Sequence, residues 1–328
     1  MLGTKTPKLS QIQRPVRDLL DGVVHELRRI VMTDFAAIEE VSNHLLWSRG
    51  KLFRPTLLLL ANRLGDRPHP RVVTLAAIVE LVHLATLVHD DAVDHSVLRR
   101  GMPTVNALWN HQTAVIVGDY LYSRSVTELA TFGSTDLIEV LGGAANEMSI
   151  GELRQLVSHD ALGFTEQDYD LLIASKTASL MAAACEMGCA VGQPELREPL
   201  RRYGHALGMA FQIADDLIDY TEAEAVSGKP GGQDLREHKV TLPLIHSLQV
   251  MSEAGRREVG NFFAEPVPTD DGIARVIELV VENRGLEYAR QRAARFGEQA
   301  AEALADLPPG ETADGLVDAI HYVIERRR

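Results

Sequence analysis

Apolar residues recur at three- and four-residue spacing along most of the chain, which is typical of amphipathic helices. Gly and Pro fall between these segments without a shift in composition, and no convincing series of alternating strands joined by short turns occurs. The pattern predicts an all-α fold, a single large helical bundle forming one domain over residues 1–328. The predicted helices cover residues 13–31, 34–48, 71–95, 112–131, 136–158, 167–191, 196–221, 240–250, 270–304 and 311–326.

Two stretches inside these helices are apolar on almost every face, namely residues 76–88 and 178–192. A helix that is hydrophobic all round is buried. Both stretches are rich in Ala, Gly, Ser and Thr, which let helices approach closely or leave space between them. We therefore expect a central apolar cavity. Cys185 and Cys189 lie in the second stretch, and we expect both to be small buried core residues.

Composition narrows the class of protein. Hydrophobic residues make up 45% of the chain, enough for a sizeable core, and the formal net charge is −13. That charge argues against nucleic acid as a partner, because phosphate backbones attract an excess of Lys and Arg. No signal-like segment opens the chain and no apolar run reaches membrane-spanning length, so we expect a cytoplasmic protein without an integral membrane segment.

The strongest chemical signal is a pair of aspartate clusters, HDDAVDH at 89–95 and ADDLIDY at 214–220. In each cluster the first and last aspartates lie one turn apart on one helix face, where their like charges repel and require a cation. Oxygen ligands without His or Cys suit Mg²⁺. One such cluster alone is often a solvated acidic face, but two copies, each ending a long apolar helix, indicate a metal site. The candidate ligands are Asp90, Asp91, Asp94, Asp215, Asp216 and Asp219.

Basic residues stand near both clusters. Any single Lys or Arg is usually an ordinary surface residue, but together these supply one metal-bound and one metal-free site for phosphate groups. They are Lys51 and Arg54 at the start of one helix, Arg99 and Arg100 after the first cluster, Lys176 beside Thr177, and Lys229 and Lys239 on either side of a Gly-rich loop after the second cluster.

These motifs resemble the trans-prenyl diphosphate synthase family, also called polyprenyl synthetases. The resemblance rests on LVHLATLVHDDAVDHSVLRRGMPTVN, GDYLYSR, SKTASL, FQIADDLIDY and GKPGGQDLREHKVTLP, which follow the family's order from Gly50 to Pro243. It implies the isoprenoid synthase fold, an allylic diphosphate and isopentenyl diphosphate as substrates, and a homodimer. It further implies Mg²⁺ as the cofactor, with roughly three ions when substrate is bound.

The resemblance also implies a role for each candidate residue. Asp90, Asp94 and Asp215 would hold Mg²⁺ against the allylic diphosphate, with Asp91, Asp216 and Asp219 as further ligands or supports. Arg99, Lys176, Thr177, Gln212, Lys229 and Lys239 would contact that diphosphate or lie beside it, and Lys51, Arg54, His83 and Arg100 would hold isopentenyl diphosphate. Asp90, Asp91, Asp94, Arg99, Lys176, Asp215 and Lys229 form the catalytic set.

One position departs from the family pattern. The family often has GKRxRP, whereas Leu52 replaces the middle Arg here. Lys51 and Arg54 remain, so we expect altered local support and an intact site.

Product length depends on residues below Asp90. Ala85 and Thr86 are small where bulky aromatics would block the growing chain, and Leu137 and Leu141 are candidates for the floor. Each added isoprene unit needs about one helical turn, roughly 5 Å. We expect an all-trans product of about thirty to fifty carbons, by analogy with the family.

The loop at 223–239 carries Gly and charged residues and is either a lid over the site or a plain connector. Geranylgeranyl diphosphate synthesis is the main alternative activity. A terpene cyclase also uses an aspartate-rich helix, but it normally lacks the second DDxxD. A noncatalytic regulatory subunit of a heteromeric synthase is the alternative from another class, although the complete ligand sets argue against it.

Overall fold

The computed structural model describes residues 6–47, 50–64, 69–99, 101–157, 162–191, 193–221 and 232–326. These residues are almost entirely helical, which confirms the all-α prediction. The helices are α1 Leu9–Ile12, α2 Arg17–Val31, α3 Ala36–Trp47, α4 Phe53–Arg63, α5 Val72–Val93, α6 Val105–Leu108, α7 His111–Ala130, α8 Thr135–Val157, α9 Glu166–Ile173, α10 Ser179–Ala190, α11 Arg197–Thr221, α12 Gln233–Arg236, α13 Leu242–Val250, α14 Glu253–Ala264, α15 Asp270–Glu282, α16 Gly285–Ala303 and α17 Glu311–Glu325.

Short elements complete the described chain. Two 3-10 turns lie at Arg14–Val16 and Pro194–Leu196, and a π-helical turn, Ala174–Ala178, joins α9 to α10. Strands β1 (Leu98–Arg99) and β2 (Met102–Pro103) pair antiparallel directly after the first aspartate cluster. The hairpin that they form and the π-helical turn have no counterpart among the predicted elements.

The single helix predicted over 270–304 was wrong. The chain forms α15 and α16 instead, because Arg284 adopts a left-handed conformation with φ +57° that ends the helical path. Gly285 follows at a close approach to α13, where an added Cβ would clash with the carbonyl oxygen of Pro243. Tight packing between helices therefore sets this break.

The core is built around α5 and α10. Helix α5 packs against α2, α4, α7 and α10, while α11 packs against α10, α16 and α17. Leu57, Ile78 and Leu81 are fully buried, and each such side chain stabilises the fold by about 1.5–3 kcal/mol. Cys185 and Cys189 are free thiols buried in this core, as predicted, and burial raises the pKa of both.

Helix α5 corrects the membrane-span expectation in one respect. Among the described helices it alone is long and apolar enough to cross a membrane. However, 67% of its most apolar window is buried inside the fold, which is typical of a core helix.

The ends of two long helices position the aspartate clusters. Asp90 and Asp91 lie in the last turn of α5 and Asp94 caps it, while the second cluster occupies the last turns of α11. A helix C-terminus already carries partial negative charge, so neither end favours a carboxylate by itself. The fold thus gathers negative charge where cationic partners are needed.

Candidate active site

One cavity of about 1380 Å³ contains most of the predicted site residues. Asp91, Asp219 and Ala85 do not line it, and Lys229 and Arg100 fall outside the described residues. Most of the loop predicted at 223–239 also falls outside them. The predicted residues in the lining are Lys51, Arg54, His83, Thr86, Asp90, Asp94, Arg99, Lys176, Thr177, Gln212, Asp215, Asp216 and Lys239.

The first aspartate cluster divides between the cavity and the protein. Asp90 and Asp94 line the cavity. Asp91 is only 6% exposed, and both of its carboxylate oxygens accept from Nε of Arg99 at 2.9 Å. Nη2 of Arg99 lies 2.8 Å from Oδ1 of Asp91. Lys239, which follows 145 residues later in the sequence, places its Nζ 3.4 Å from Oδ2 of Asp94.

In the second cluster, Asp215 and Asp216 line the cavity and Asp219 does not. Asp215 forms an ion pair with Arg326. Asp216 accepts a hydrogen bond of 2.6 Å from the hydroxyl of Tyr169. Asp219 accepts from the backbone N–H groups of Gln233 and Asp234, each at 3.0 Å, and so holds the first turn of α12.

Lys176 is placed by the π-helical turn and by α8. Its Nζ donates to Oε1 of Gln155 at 2.9 Å and forms an ion pair with Glu152. Gly151 allows this approach, because a Cβ there would lie 2.8 Å from Cγ of Lys176 and 3.0 Å from Cβ of Ser175. The side chain of Lys176 therefore lies against α8 and lines the cavity.

Burial raises the pKa of several carboxyl groups in this site, which disfavours their charged form. It raises the pKa of Asp90 to about 6, against the opposing effect of Lys176. It raises the pKa of Asp216 to about 6 and that of Asp234 to about 8, and neighbouring carboxylates add to both shifts. A bound cation would relieve this repulsion. The donor set consists of carboxylate oxygens, which fit a hard divalent cation such as Mg²⁺.

Ligands other than the described side chains are needed to complete any such metal site. Across the part of the chain that the structure describes, no three acidic, His or Cys side chains lie close enough to hold one ion by themselves. Mg²⁺ commonly binds one or two carboxylates and takes its other ligands from waters and phosphates. Waters or phosphate oxygens would therefore supply the remaining ligands of a cation bound here.

The cavity includes residues that the sequence analysis missed. Gln155 lines the cavity, and Glu152, which pairs with Lys176, stands one turn earlier on α8 in GELRQL, a spacing that could have indicated a paired role. Asp234 lies within the Gly-rich motif and was passed over. Tyr169 and Arg326 carry no local signal, because their partners in the cavity are distant in the sequence.

Arg326 reaches the site from just beyond α17. Its guanidinium carbon lies 4.0 Å from the ring centroid of Phe211, and its side chain is 5% exposed. Burial lowers the pKa of Arg326 to about 10. The ion pair with Asp215 joins the end of the described chain to the second aspartate cluster.

The residues predicted to set chain length are placed differently from one another. Thr86 lines the cavity and donates its hydroxyl to the carbonyl oxygen of His83 at 2.8 Å. Ala85, Leu137 and Leu141 are buried without lining it. Met148, on the same face of α8 as Leu137 and Leu141, does line the cavity.

Leu52, the departure from the family pattern, has an unusual backbone. Its φ is +48°, in the left-handed region, which costs a residue with a Cβ about 1–2 kcal/mol. Thr56 donates its hydroxyl to the Leu52 carbonyl at 2.7 Å, and Gln13 donates to the Lys51 carbonyl at 3.0 Å. These contacts hold the strained turn between Lys51 and the start of α4.

Comparison with known proteins gives a consistent result. The model of the polyprenyl synthetase family matches residues 35–280. An all-trans-nonaprenyl-diphosphate synthase of Rhodobacter capsulatus is 38% identical, over 90% of this chain and 91% of its own. Heptaprenyl diphosphate synthase component 2 of Geobacillus stearothermophilus is 35% identical, over 97% and 99%.

A solved structure agrees with these relatives. The crystal structure of a polyprenyl synthase from Caulobacter crescentus, complexed with calcium and isoprenyl diphosphate, superposes with a TM-score of 0.91 at 33% identity. The alignment covers 99% of this chain and all of that one. The all-α fold and the charged cavity thus define a protein of the isoprenoid synthase class. Within that class, the chain belongs to the polyprenyl synthetase family.

Proposed function

We propose that this protein condenses isopentenyl diphosphate head-to-tail with an allylic prenyl diphosphate, giving a longer all-trans polyprenyl diphosphate. The observation that carries the proposal is the single cavity that joins carboxylates of both aspartate clusters to basic residues of several helices. Relatives of this family that are named as hepta- and nonaprenyl diphosphate synthases support it.

Asp90, Asp94 and Asp215 are the residues we assign to Mg²⁺, because their carboxylates line the cavity and are not held by neutral donors as that of Asp216 is. When bound, Mg²⁺ supplies positive charge that stabilises the departing diphosphate. The calcium ion named with the Caulobacter crescentus structure supports a divalent cation in this family. Asp91, Asp216 and Asp219 support this set, since their oxygens accept hydrogen bonds from protein donors.

The basic residues divide between the two substrates. We assign Arg99, Lys176, Thr177, Gln212, Lys229 and Lys239 to the allylic diphosphate, and Lys51, Arg54, His83 and Arg100 to isopentenyl diphosphate. They orient the allylic carbon toward the isopentenyl double bond. Apolar lining residues such as Leu87, Ile173 and Phe211 exclude water, which would otherwise quench the allylic cation.

The proposed product has about thirty to fifty carbons, as in long-chain members of the family. The small side chain of Thr86, which lines the cavity, supports it, because a bulky residue there would block a chain descending below Asp90.

Replacement of one aspartate from each cluster tests the assignment. We expect Asp90→Asn and Asp215→Asn each to lower kcat at least about 100-fold, the scale seen when one stabilising group is removed from an active site. Asp271→Asn, the same change at an exposed position of α15, is the control and should leave kcat unchanged. Full activity in either cluster variant would remove that aspartate from the proposed metal site.

We further propose a homodimer that acts in the cytoplasm. Large apolar side chains stand exposed on α7 and α8, among them Ile116 at 61%, Ile138 at 42% and Leu153 at 62%. A second copy of the chain would cover them.

A noncatalytic subunit is a second candidate, because one relative is named as a component of a heptaprenyl diphosphate synthase. Both aspartate clusters contribute to one cavity here, which favours a catalytic chain. Condensation by the purified chain alone would exclude the purely noncatalytic role.

A further inference from the structure

Tyr169 of α9 is a buried residue to which the proposed chemistry gives no task. It is 1% exposed, and its hydroxyl donates to Oδ2 of Asp216 at 2.6 Å. Oδ1 of the same carboxylate accepts from Nε2 of Gln212 at 2.9 Å. Asp216 is itself only 5% exposed. Both of its oxygens thus accept from neutral donors, and little of the residue is open to solvent.

This carboxylate fixes the direction of the Gln212 amide. An ionised carboxylate only accepts hydrogen bonds, so the Gln212 atom that meets Asp216 must be the amide nitrogen. The amide oxygen then faces the opposite way and accepts from Oγ1 of Thr177 at 2.7 Å.

The same arrangement leaves a donor for a ligand. An amide nitrogen carries two hydrogens, and Asp216 takes one of them. Gln212 lines the cavity, so the other hydrogen can serve an anionic oxygen there. A flipped amide would present its oxygen instead and would repel the same anion.

Helix α9 holds Tyr169 in place. Arg292 of α16 contacts Glu166 at 3.0 Å and Asp170 at 2.7 Å. Glu166 precedes Tyr169 in α9 and Asp170 follows it. The hydroxyl of Tyr288 also donates to Glu166 at 2.7 Å. Anchored by these contacts, α9 presents the Tyr169 hydroxyl at a fixed distance from α11.

We propose that Tyr169 is a positioning residue, which holds Asp216 so that Gln212 presents an N–H to the diphosphate of the allylic substrate. The inference rests on the proposed contact between Gln212 and that diphosphate. It gives Asp216 a task distinct from that of Asp90, Asp94 and Asp215. The task is to orient an amide, through oxygens that are already engaged.

Tyr169→Phe removes the hydroxyl and keeps the ring. We expect the KM for farnesyl diphosphate to rise about 10-fold, equivalent to about 1.4 kcal/mol. The KM for isopentenyl diphosphate should stay unchanged. Calorimetry with Mg²⁺ and the unreactive thiolo analogue of farnesyl diphosphate should show the same 10-fold rise in Kd. A lowered Tm with both KM values unchanged would overturn the inference.

Tyr203→Phe is the matched control. Tyr203 lies on α11, is fully buried, and donates its hydroxyl to the Leu316 carbonyl at 2.8 Å, away from the cavity lining. Losing that bond should lower Tm without changing either KM. An equal rise in the KM for farnesyl diphosphate would show that any buried hydroxyl has this effect, and would overturn the inference.

A double-mutant cycle separates the inference from the role on which it rests. Gln212→Ala alone should raise the KM for farnesyl diphosphate, and adding Tyr169→Phe should change it no further, because Tyr169 acts through Gln212. Additive effects would overturn the inference alone. An unchanged KM in Gln212→Ala would overturn the proposed Gln212 contact and the inference with it.

Discussion

The aspartates of the two clusters differ in what their oxygens contact. Asp90, Asp94 and Asp215 line the cavity, where the charged side-chain partners are basic, namely Lys239 for Asp94 and Arg326 for Asp215. Asp91 pairs with Arg99 and Asp219 holds the first turn of α12, and neither lines the cavity. Asp216 does line it, but both of its oxygens accept from the neutral donors Tyr169 and Gln212. Aspartates of the same motif therefore differ in their contacts, and we expect them to differ in their roles.

Asp91→Asn tests this division. The amide keeps the shape of the side chain but weakens the charge-assisted pairing with Arg99, by about 1–3 kcal/mol. We expect the KM for farnesyl diphosphate to rise about 10-fold, while the Mg²⁺ concentration for half-maximal rate stays the same. Steady-state kinetics at several Mg²⁺ concentrations would measure both.

Asp18→Asn provides the control for that change. Asp18 pairs with Arg63 at 2.6 Å but is 63% exposed, and such pairs contribute little. Its kinetic constants should match those of the unmodified protein. A shift in the Mg²⁺ dependence of Asp91→Asn would instead make Asp91 a metal ligand.

The sequence predicted where these aspartates lie, but it could not show which of them are engaged by protein donors. Spacing shows which of them share a helix face, and that face was taken as the metal face. The decisive partners come from elsewhere, since Tyr169 precedes Asp216 by 47 residues and Arg99 lies beyond the end of α5. Only the folded structure shows which carboxylates already accept hydrogen bonds from protein donors.

At the scale of helices, the segment from α9 to α10 and its contact with α8 place the basic side of the cavity. The π-helical turn Ala174–Ala178 widens the helix where Lys176 and Thr177 face the site. Gly151 lets α8 pack directly against this turn. Small residues at such crossings let backbones approach, so a side chain there would push the turn away.

Gly151→Ala should disturb that crossing. The new Cβ would lie 2.8 Å from Cγ of Lys176 and 3.2 Å from its backbone nitrogen. Such overpacking costs about 1–3 kcal/mol. We expect a lower Tm and, because Lys176 moves, a kcat reduced about 10-fold. Thermal unfolding would measure the change in Tm, and steady-state kinetics with both substrates would measure the change in kcat.

Gly143→Ala makes the same change on the same helix at a position where no atom lies within 4 Å of the added Cβ. Ala exceeds Gly in helix propensity by about 0.5–1 kcal/mol, so Tm should not fall. If Gly151→Ala and Gly143→Ala gave the same Tm and kcat, the contact between Gly151 and the π-helical turn would have no effect on activity.

Periodicity predicted most helices within a few residues of their ends. It failed where tertiary packing decides, as at Arg284, whose left-handed conformation separates α15 from α16. It also could not show the π-helical turn, because one widened turn leaves the apolar pattern almost unchanged. Helix α14 went unpredicted, although Ser252 caps its first turn by accepting from Gly255 N–H at 3.2 Å.

For the whole molecule, one cavity collects groups from across the chain. Arg54 lies in the first turn of α4, Asp90 lies in the last turn of α5, and Arg326 follows directly after α17. The all-α fold and the aspartate clusters followed from the sequence. The contact between Arg326 and Asp215, 111 residues apart, did not, because no local pattern encodes it.

The most direct test of the account is the length of the product. The purified protein would be incubated with Mg²⁺, farnesyl diphosphate and labelled isopentenyl diphosphate, and the dephosphorylated products separated by chromatography. The account predicts a ladder whose longest member has about thirty to fifty carbons. A ladder that stops at about twenty carbons, or no incorporation at all, would contradict it.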